Sequence, residues 1–240
     1  MSRRHYRDYD EHGAPDEFDK NVFGTEIGEY LRETQEKIVI SMIENNLSVL
    51  DVGAGSGRLT IPLARKVSNV VAFDAAKEML KKARDKAEGN SNISYTIGDA
   101  HKLPYKEESF DHVISFRMLM HVEDWRKVIS EMCRVSKRYV ILEVPPKLGF
   151  ALLSVFLIKI IKPLGVEREP IRVFSVKELR KELKKNNFEI VLVNKQFFLP
   201  YVIHRGANSV RFTRITELIL SKIGLTRVFG APITIKAERI

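Results

Sequence analysis

Ser48-Val49-Leu50-Asp51-Val52-Gly53-Ala54-Gly55-Ser56-Gly57 is a short apolar run that ends in an acid and three alternating glycines. The run reads as a buried strand, and the stretch after it, Arg58 to Val67, as a helix. Glycines serve such a strand-to-helix turn in two ways: they permit its tight backbone, and they let a ligand approach without Cβ atoms in the way. A plain tight turn would use the first property alone. Asp74 favours the second, because it stands 21 residues after Gly53, near the spacing of about 20 at which an acid accepts hydrogen bonds from ribose hydroxyls. A nucleoside ligand follows, but a dinucleotide does not fit. The third glycine comes too early for the G-x-G-x-x-G turn that opens a pyrophosphate site. Asp51 would also repel phosphate and attract an ammonium group.

Outward from this turn the same alternation continues. Strands are expected at Asn69 to Asp74, Asn92 to Ile97, Asp111 to Phe116, Tyr139 to Val144, Phe188 to Val193 and Ile233 to Ala237. Helices are expected at Gly24 to Asn45, Ala76 to Glu88, Glu123 to Val135 with Trp125, and from the Ser175/Glu178 capping box to Asn186. Apolar strands alternating with helices imply a mostly parallel sheet covered on both faces. Two segments interrupt the pattern: the apolar run Leu148 to Ile161 with the turn around Pro163 to Gly165, and Pro200 to Gly230, which holds a helix at Val210 to Ile223.

Four segments together carry a family resemblance: Val49 to Gly57 (VLDVGAGSG), Asp74 in VAFD, Gly98 to Ser115 (GDAHKLPYKEESFDHVIS) and Phe116 to Trp125 (FRMLMHVEDW). They resemble class I S-adenosylmethionine-dependent methyltransferases of the type 11 branch, which includes quinone-biosynthesis C-methyltransferases. The likeness spans residues 48 to 144; beyond them only the strand pattern matches. It implies an α/β, Rossmann-like sheet of seven mostly parallel strands, with helices on both faces and the final strand antiparallel. Residues 1–240 then form one methyltransferase domain. Its parts are an N-terminal arm and helix (1–46), a cofactor-binding core (47–146), acceptor-side insertions (147–174 and 200–230) and a segment, 175–240, that completes the sheet.

The resemblance also assigns S-adenosyl-L-methionine and its contacts. The backbone at Gly53 and Gly55 lies against the cofactor, with Ala54 and Gly57 in the same loop, and Asp51 helps to hold the methionine end. Asp74 takes the ribose hydroxyls, with Ala75 beside it. Asp99 faces the adenine amino group, and Ala100 offers its backbone beside the ring. Phe116 lies next to the methionyl part and the acceptor pocket. These roles suit the chemistry, since carboxylates accept from hydroxyls and amines, and a sulfonium favours an acid-flanked crevice.

Methyl transfer from a sulfonium is a direct displacement, so alignment and exclusion of water do most of the work. A base is needed only if the acceptor must lose a proton. His121 ranks first for that role, with a packed or helix-capping histidine as the alternative; His101, His112 and His204 rank lower. Tyr6, Tyr9 and Tyr30 could close over the cofactor or simply pack. The Asn/Asp-Pro-Pro-aromatic motif of enzymes acting on exocyclic base amines is absent after the fourth strand, which reads Ser115-Phe116-Arg117-Met118. No set of metal ligands shows the required spacing, so no metal is assigned.

Charge is divided unevenly along the 240 residues. Residues 1 to 136 hold 20 Lys+Arg against 23 Asp+Glu, and residues 137 to 240 hold 20 against 8. A basic second half suits an anionic small molecule, nucleic acid or lipid surface, and equally a well-solvated face. The apolar Phe150, Leu152, Leu153, Phe156, Leu157 and Ile160 stand near Lys159 and Lys162; Arg205, Arg211, Arg214 and Arg227 occupy the second insertion. That mixture suits a small-molecule or lipid-like acceptor, anionic at one end, and peripheral contact with a membrane. Leu148 to Ile161 is read as a lid, a core helix or a dimer interface, and the oligomeric state stays open. An RNA-modifying methyltransferase and a non-catalytic S-adenosylmethionine-binding protein are the alternatives. The single cysteine and the charged N-terminal segment lead us to expect a cytoplasmic protein.

Overall fold

The computed structural model describes residues 24–147 and 172–240. The N-terminal arm with Tyr6 and Tyr9, and the segment Leu148 to Ile161 with Lys159, Lys162 and Arg168, lie outside the described residues. Seven strands form one sheet: β1 Ser48–Val52, β2 Asn69–Asp74, β3 Ile93–Ile97, β4 Phe110–Phe116, β5 Ser136–Val144, β6 Phe188–Phe197 and β7 Ala231–Arg239. Their order is β3-β2-β1-β4-β5-β7-β6. β1 to β5 run parallel to one another, and β7 runs antiparallel between β5 and β6. The strand order reverses beside β1, which places the crevice at the carboxyl ends of β1 and β4.

Alternation along each strand sends side chains to opposite faces. Leu50, Val52, Val113, Val140 and Leu142 pack against α4 (Trp125–Val135) and α5 (Val176–Lys185). Val49, Val70, Ala72, Ile114 and Ile141 pack against α1 (Glu26–Ser41), α2 (Thr60–Ala64) and α3 (Lys77–Lys86). Both faces are therefore covered, which a parallel sheet of this composition requires. Asp51, Phe116 and Glu143 sit at strand ends on the second face, the one beneath α1 and α2.

The elements differ from the sequence reading mainly at their ends. α2 has only five residues, because the chain leaves the glycine loop through a series of turns before Thr60. α4 begins at Trp125, and its N-cap is Asp124, whose carboxylate accepts the Lys127 amide at 3.3 Å. β6 extends to Phe197 by pairing with β7, a long-range contact that local pattern does not carry. The Ser175/Glu178 capping box is present, and Lys147 Nζ lies 2.7 Å from the Glu178 carboxylate, holding that carboxyl at about 2. Residues 200–230 hold three helices in place of one: α6 Tyr201–Ala207, α7 Val210–Lys222 and α8 Leu225–Phe229.

The first insertion leaves and rejoins the fold at one place. The Lys147 amide donates to the Phe174 carbonyl at 2.7 Å, and the Phe174 amide to the Pro145 carbonyl at 2.8 Å. Arg172 then donates its amide to Met120 at 2.9 Å, beside the short 3-10 turn Leu119–His121. The anchored ends of this insertion thus flank the carboxyl edge of β4 and β5.

Candidate active site

The glycine loop keeps its amides for the protein. Gly53 and Ala54 both donate to the Phe73 carbonyl, at 2.8 and 3.1 Å, and Gly55 donates to Asp74 Oδ2 at 2.8 Å. A loop that cradles phosphate turns its amides toward the ligand. Here the three are spent on β2, which removes the feature that a pyrophosphate needs most.

The three glycines answer different demands. Gly53 takes φ +80, and a Cβ there would lie 2.4 Å from Met118 Cγ, so this position closes the loop against the turn after β4. Gly57 takes φ +78, and a Cβ would lie 2.9 Å from that of Ala83 on α3. Gly55 takes φ +55, and a Cβ would meet no protein atom within 4 Å; it faces the open crevice. Alanine at Gly55 should therefore cost only the left-handed backbone penalty, about 1 to 2 kcal/mol, yet place a methyl where the ligand lies. Alanine at Gly53 adds overpacking of about 1 to 3 kcal/mol. Thermal melts should rank Gly53→Ala below Gly55→Ala, while titration with S-adenosylhomocysteine in folded Gly55→Ala shows weakened binding. A Gly55→Ala variant that binds like the parent would remove this residue from the crevice.

Asp74 ends β2 with its carboxylate tied at both oxygens, Oδ2 to the Gly55 amide and Oδ1 to the Ala76 amide at 2.9 Å. These two bonds orient the carboxylate at the end of the strand. Ala75 beside it is half-buried. Asp99, after β3, is 62% exposed; its Oδ1 accepts the His101 amide at 2.9 Å and meets His101 Nδ1 at 2.6 Å. Burial alone would raise the Asp99 carboxyl, but these contacts bring it below its ordinary range. His101 is thereby committed to Asp99, next to the half-buried Ala100.

Asp51 is 1% exposed. Its Oδ2 accepts the Thr60 hydroxyl at 2.7 Å, whereas Oδ1 is buried with no hydrogen-bond partner. Burial pushes this carboxyl up to about 7, the Thr60 hydroxyl opposes the rise, and nearby Asp74 adds to it. A buried acceptor without a donor is costly. An ammonium group would satisfy it and restore the charged form.

Phe116, at the end of β4, is 9% exposed and carries the Arg58 guanidinium 4.9 Å from its ring centre. Arg58 is held from α1 by Glu36 Oε1 at 3.0 Å and Gln35 Oε1 at 2.9 Å, which pins α1 beside the glycine loop. Burial, then nearby Arg117, lowers Arg58 to about 10. Arg117 itself takes φ +62. That conformation costs a side-chain-bearing residue roughly 1 to 2 kcal/mol, and such strain concentrates at functional sites.

Sequence reasoning missed Glu143. It is 1% exposed at the end of β5, paired in register with Phe116, and burial pushes its carboxyl up to about 7 although Arg117 and Arg58 draw it down. Oε2 accepts from Gln196 Nε2 at 3.0 Å, Gln196 also donates to Thr234 Oγ1 at 2.8 Å, and Oε1 has no partner. The signal was a single acid within the apolar strand Tyr139-Val-Ile-Leu-Glu-Val144. Its meaning needed Gln196 and Thr234 from strands far along the chain.

The histidines separate by position. His112 is fully buried on β4, stacked on Tyr139 at 5.0 Å, and burial lowers it to about 4. His204 is held between Thr213 Oγ1 at 3.0 Å and Glu217 Oε1 at 3.2 Å within the second insertion. His121 lies in the turn after β4, near the edge that carries Phe116 and Glu143, and the capping role that competed for it belongs to Asp124. Tyr30, on α1, packs under Arg214 at 5.6 Å, away from the glycine loop in its contacts. Among the described residues no group of His, Cys, Asp or Glu could hold a metal ion.

Known proteins share this fold and part of this sequence. A methyltransferase-domain family of the type 11 class matches residues 50–142. The chain is 37% identical over 100 residues to a demethylmenaquinone methyltransferase of Shouchella clausii, covering 40% of this chain and 43% of that one. It is 36% identical over 101 residues to a ubiquinone/menaquinone biosynthesis C-methyltransferase of Rickettsia massiliae, covering 38% and 41%. The chain thus spans less than half the length of these curated relatives. In fold it is similar over its whole length to the magnesium protoporphyrin IX methyltransferase of Synechocystis with bound S-adenosylhomocysteine, at a TM-score of 0.71 and 21% identity, with 100% of each chain covered. Residues 50–142, which hold the glycine loop, Asp74, Asp99 and Phe116, are thus similar to methyltransferase domains of the type 11 class.

Proposed function

We propose that the chain transfers the methyl group of S-adenosyl-L-methionine to a small-molecule or lipid-like acceptor. One observation carries the reading: the loop at the head of the crevice spends its amides on the protein and leaves a buried, unpartnered carboxylate oxygen on Asp51. Such a site disfavours phosphate and favours a cationic ligand. The amino-acid end of S-adenosylmethionine carries an ammonium group, and its adenosine matches Asp74 and Asp99. The residues present therefore fit the cofactor.

When bound, the cofactor supplies an electrophilic methyl on sulfur with a neutral leaving group. This chain's residues orient and enclose it. Asp51 accepts the ammonium, Asp74 the ribose hydroxyls and Asp99 Oδ2 the adenine amino group. Gly53, Ala54, Gly55 and Gly57 shape the loop, Ala75 and Ala100 flank the nucleoside, and Phe116 walls the methionyl part. The acceptor side is the edge around Phe116, His121 and the anchored ends of the first insertion. The relatives named for quinone pathways and the porphyrin-acting structural neighbour support an acceptor that is a small organic molecule, either lipid-like or planar. Buried Cys133, whose thiol burial pushes up to about 12, suits a reducing compartment, and we assign the activity to the cytoplasm.

His121 is the proton acceptor in this reading when the acceptor must be deprotonated. His121→Ala should leave S-adenosylhomocysteine affinity intact and lower turnover by about 10²- to 10⁴-fold. Equal turnover of parent and variant across the neutral pH range would assign His121 to packing. The overall reading is tested by incubating the protein with methyl-labelled S-adenosylmethionine and a fractionated metabolite and lipid extract. Label should appear in an organic-soluble or small-molecule fraction, and label confined to RNA would overturn the proposed acceptor class.

A further inference from the structure

Helix α7 presents its apolar side chains outward. Thr213 is fully buried, and Thr216 and Glu217 turn toward the protein. The Glu217 carboxylate accepts the Phe198 and Leu199 amides at 2.8 and 2.9 Å and faces His204. On the outside are Phe212 (44% exposed), Ile215 (48%), Leu218 (55%), Ile219 (54%) and Ile223 (65%). A surface helix bathed in water shows the opposite arrangement, with its apolar stripe facing the core. The patch continues onto α8, where Val228 is 48% exposed. A contiguous apolar surface of this kind marks an interaction site.

The charges select the partner. Arg211 and Lys222 are exposed on the outward side of α7, and Arg205, Arg214 and Arg227 are exposed on α6, α7 and α8. Glu217 is the one acid in residues 201–229 and is turned inward, engaged with backbone amides. A second copy packed face to face would set these cations against the same cations. A nucleic acid would meet apolar side chains at the centre of its contact. An anionic bilayer satisfies both features, since apolar side chains enter the acyl boundary while Arg and Lys stems extend to the headgroups.

We propose that α7 and α8 rest in the surface of an anionic lipid bilayer. Among the described residues no helix is long and apolar enough to cross a membrane, so the contact is made along one face. Arg211 and Arg214 also line an open groove of about 660 Å³ with Glu26 and Ile215, which gives headgroups a place beside the patch. The surface joins the site through α1. Val210 and Phe197 pack with Ile27 and Leu31, and α1 in turn holds Arg58 over Phe116. That placement would let a lipid-like acceptor reach the crevice from the bilayer. Only this last step rests on the methyl-transfer reading; the bilayer contact stands without it.

Flotation of the full chain with vesicles tests the proposal. At low salt the protein should float with phosphatidylcholine vesicles containing about one-third phosphatidylglycerol and stay behind with phosphatidylcholine alone. Arg211→Ser/Lys222→Ser should reduce the partition coefficient about 25-fold, about five-fold for each cation. Ile215→Ser/Ile219→Ser should reduce it about ten-fold or more, because apolar insertion is lost. All four positions are exposed, so both variants should keep the parent melting temperature and S-adenosylhomocysteine affinity. Absence of flotation, equal binding to neutral vesicles, or flotation unchanged in both variants would overturn the proposal. So would a dimer in sedimentation that dissociates in Ile219→Asp, which would give the face to a second copy. Loss of S-adenosylhomocysteine binding with flotation retained would count against the cofactor site alone.

Discussion

Asp74→Ala should weaken S-adenosylhomocysteine binding by about 1.5 to 3 kcal/mol, or roughly ten- to a hundredfold, the range for hydrogen bonds to a charged group. Two losses combine. The ribose hydroxyls lose their acceptor, and the amides of Gly55 and Ala76 lose the carboxylate that ties the glycine loop to the start of α3. The second loss moves the loop that the cofactor lies against, so the effect should sit toward the upper end. Calorimetric titration of a variant with parental circular dichroism reads the change directly. Unchanged affinity in such a folded variant would remove Asp74 from the nucleoside site.

Asp51→Asn should have a larger and pH-dependent effect. In the ligand-free fold the Asp51 carboxyl is raised to about 7 by burial, against 3.8 for the free side chain. An acid whose pKa is raised in the folded state binds more protons there than in the unfolded chain, so folding stability falls as pH rises between the two values. Across a window of about three units, at about 1.4 kcal/mol each, the decline approaches 4 kcal/mol. Asp51→Asn should abolish this contribution and leave the ligand-free protein more stable than the parent at pH 8. Glu143, also raised to about 7, adds a decline of the same sign that persists in the variant.

Binding reverses the comparison. An ammonium group beside Oδ1 favours the ionised carboxylate, so cofactor binding near pH 6 should release a fraction of a proton, and affinity should rise from pH 5 to 7. Asp51→Asn should lose that pH dependence and about 3 kcal/mol or more of affinity, as expected for breaking a buried ion pair. Calorimetry in buffers of different ionisation heat measures the proton count. No proton release, with equal affinity in the variant, would place the ammonium elsewhere.

Much of this site could be read from local sequence because its parts are local. Val49 to Gly57 is one strand and one turn, Asp74 ends the next strand, and Asp99 follows the third; all lie at carboxyl ends that β-α-β alternation brings to one edge. The insertions were harder. Val210 to Ile223 reads as a helix, and α7 is one, but periodicity alone cannot tell that Thr213 and Glu217 face inward. That orientation depends on the Phe198 and Leu199 amides and on His204. Arg58 looked like an ordinary first helical residue, and its role emerges only when Gln35 and Glu36 of α1 reach it across 23 and 22 residues. Glu143 likewise acquires its surroundings from Gln196 and Thr234, through the antiparallel pairing of β7.

The crevice at the carboxyl ends of β1 and β4, flanked by β2 and β3, is expected to bind S-adenosylmethionine and not a phosphate-bearing nucleotide. Titration of the parent protein with S-adenosylhomocysteine and, separately, with NADH tests it most directly. Saturable one-to-one binding of S-adenosylhomocysteine that weakens in Asp74→Ala is expected, with no heat of binding from NADH. Saturable NADH binding, or no binding of S-adenosylhomocysteine by the folded chain, would contradict it.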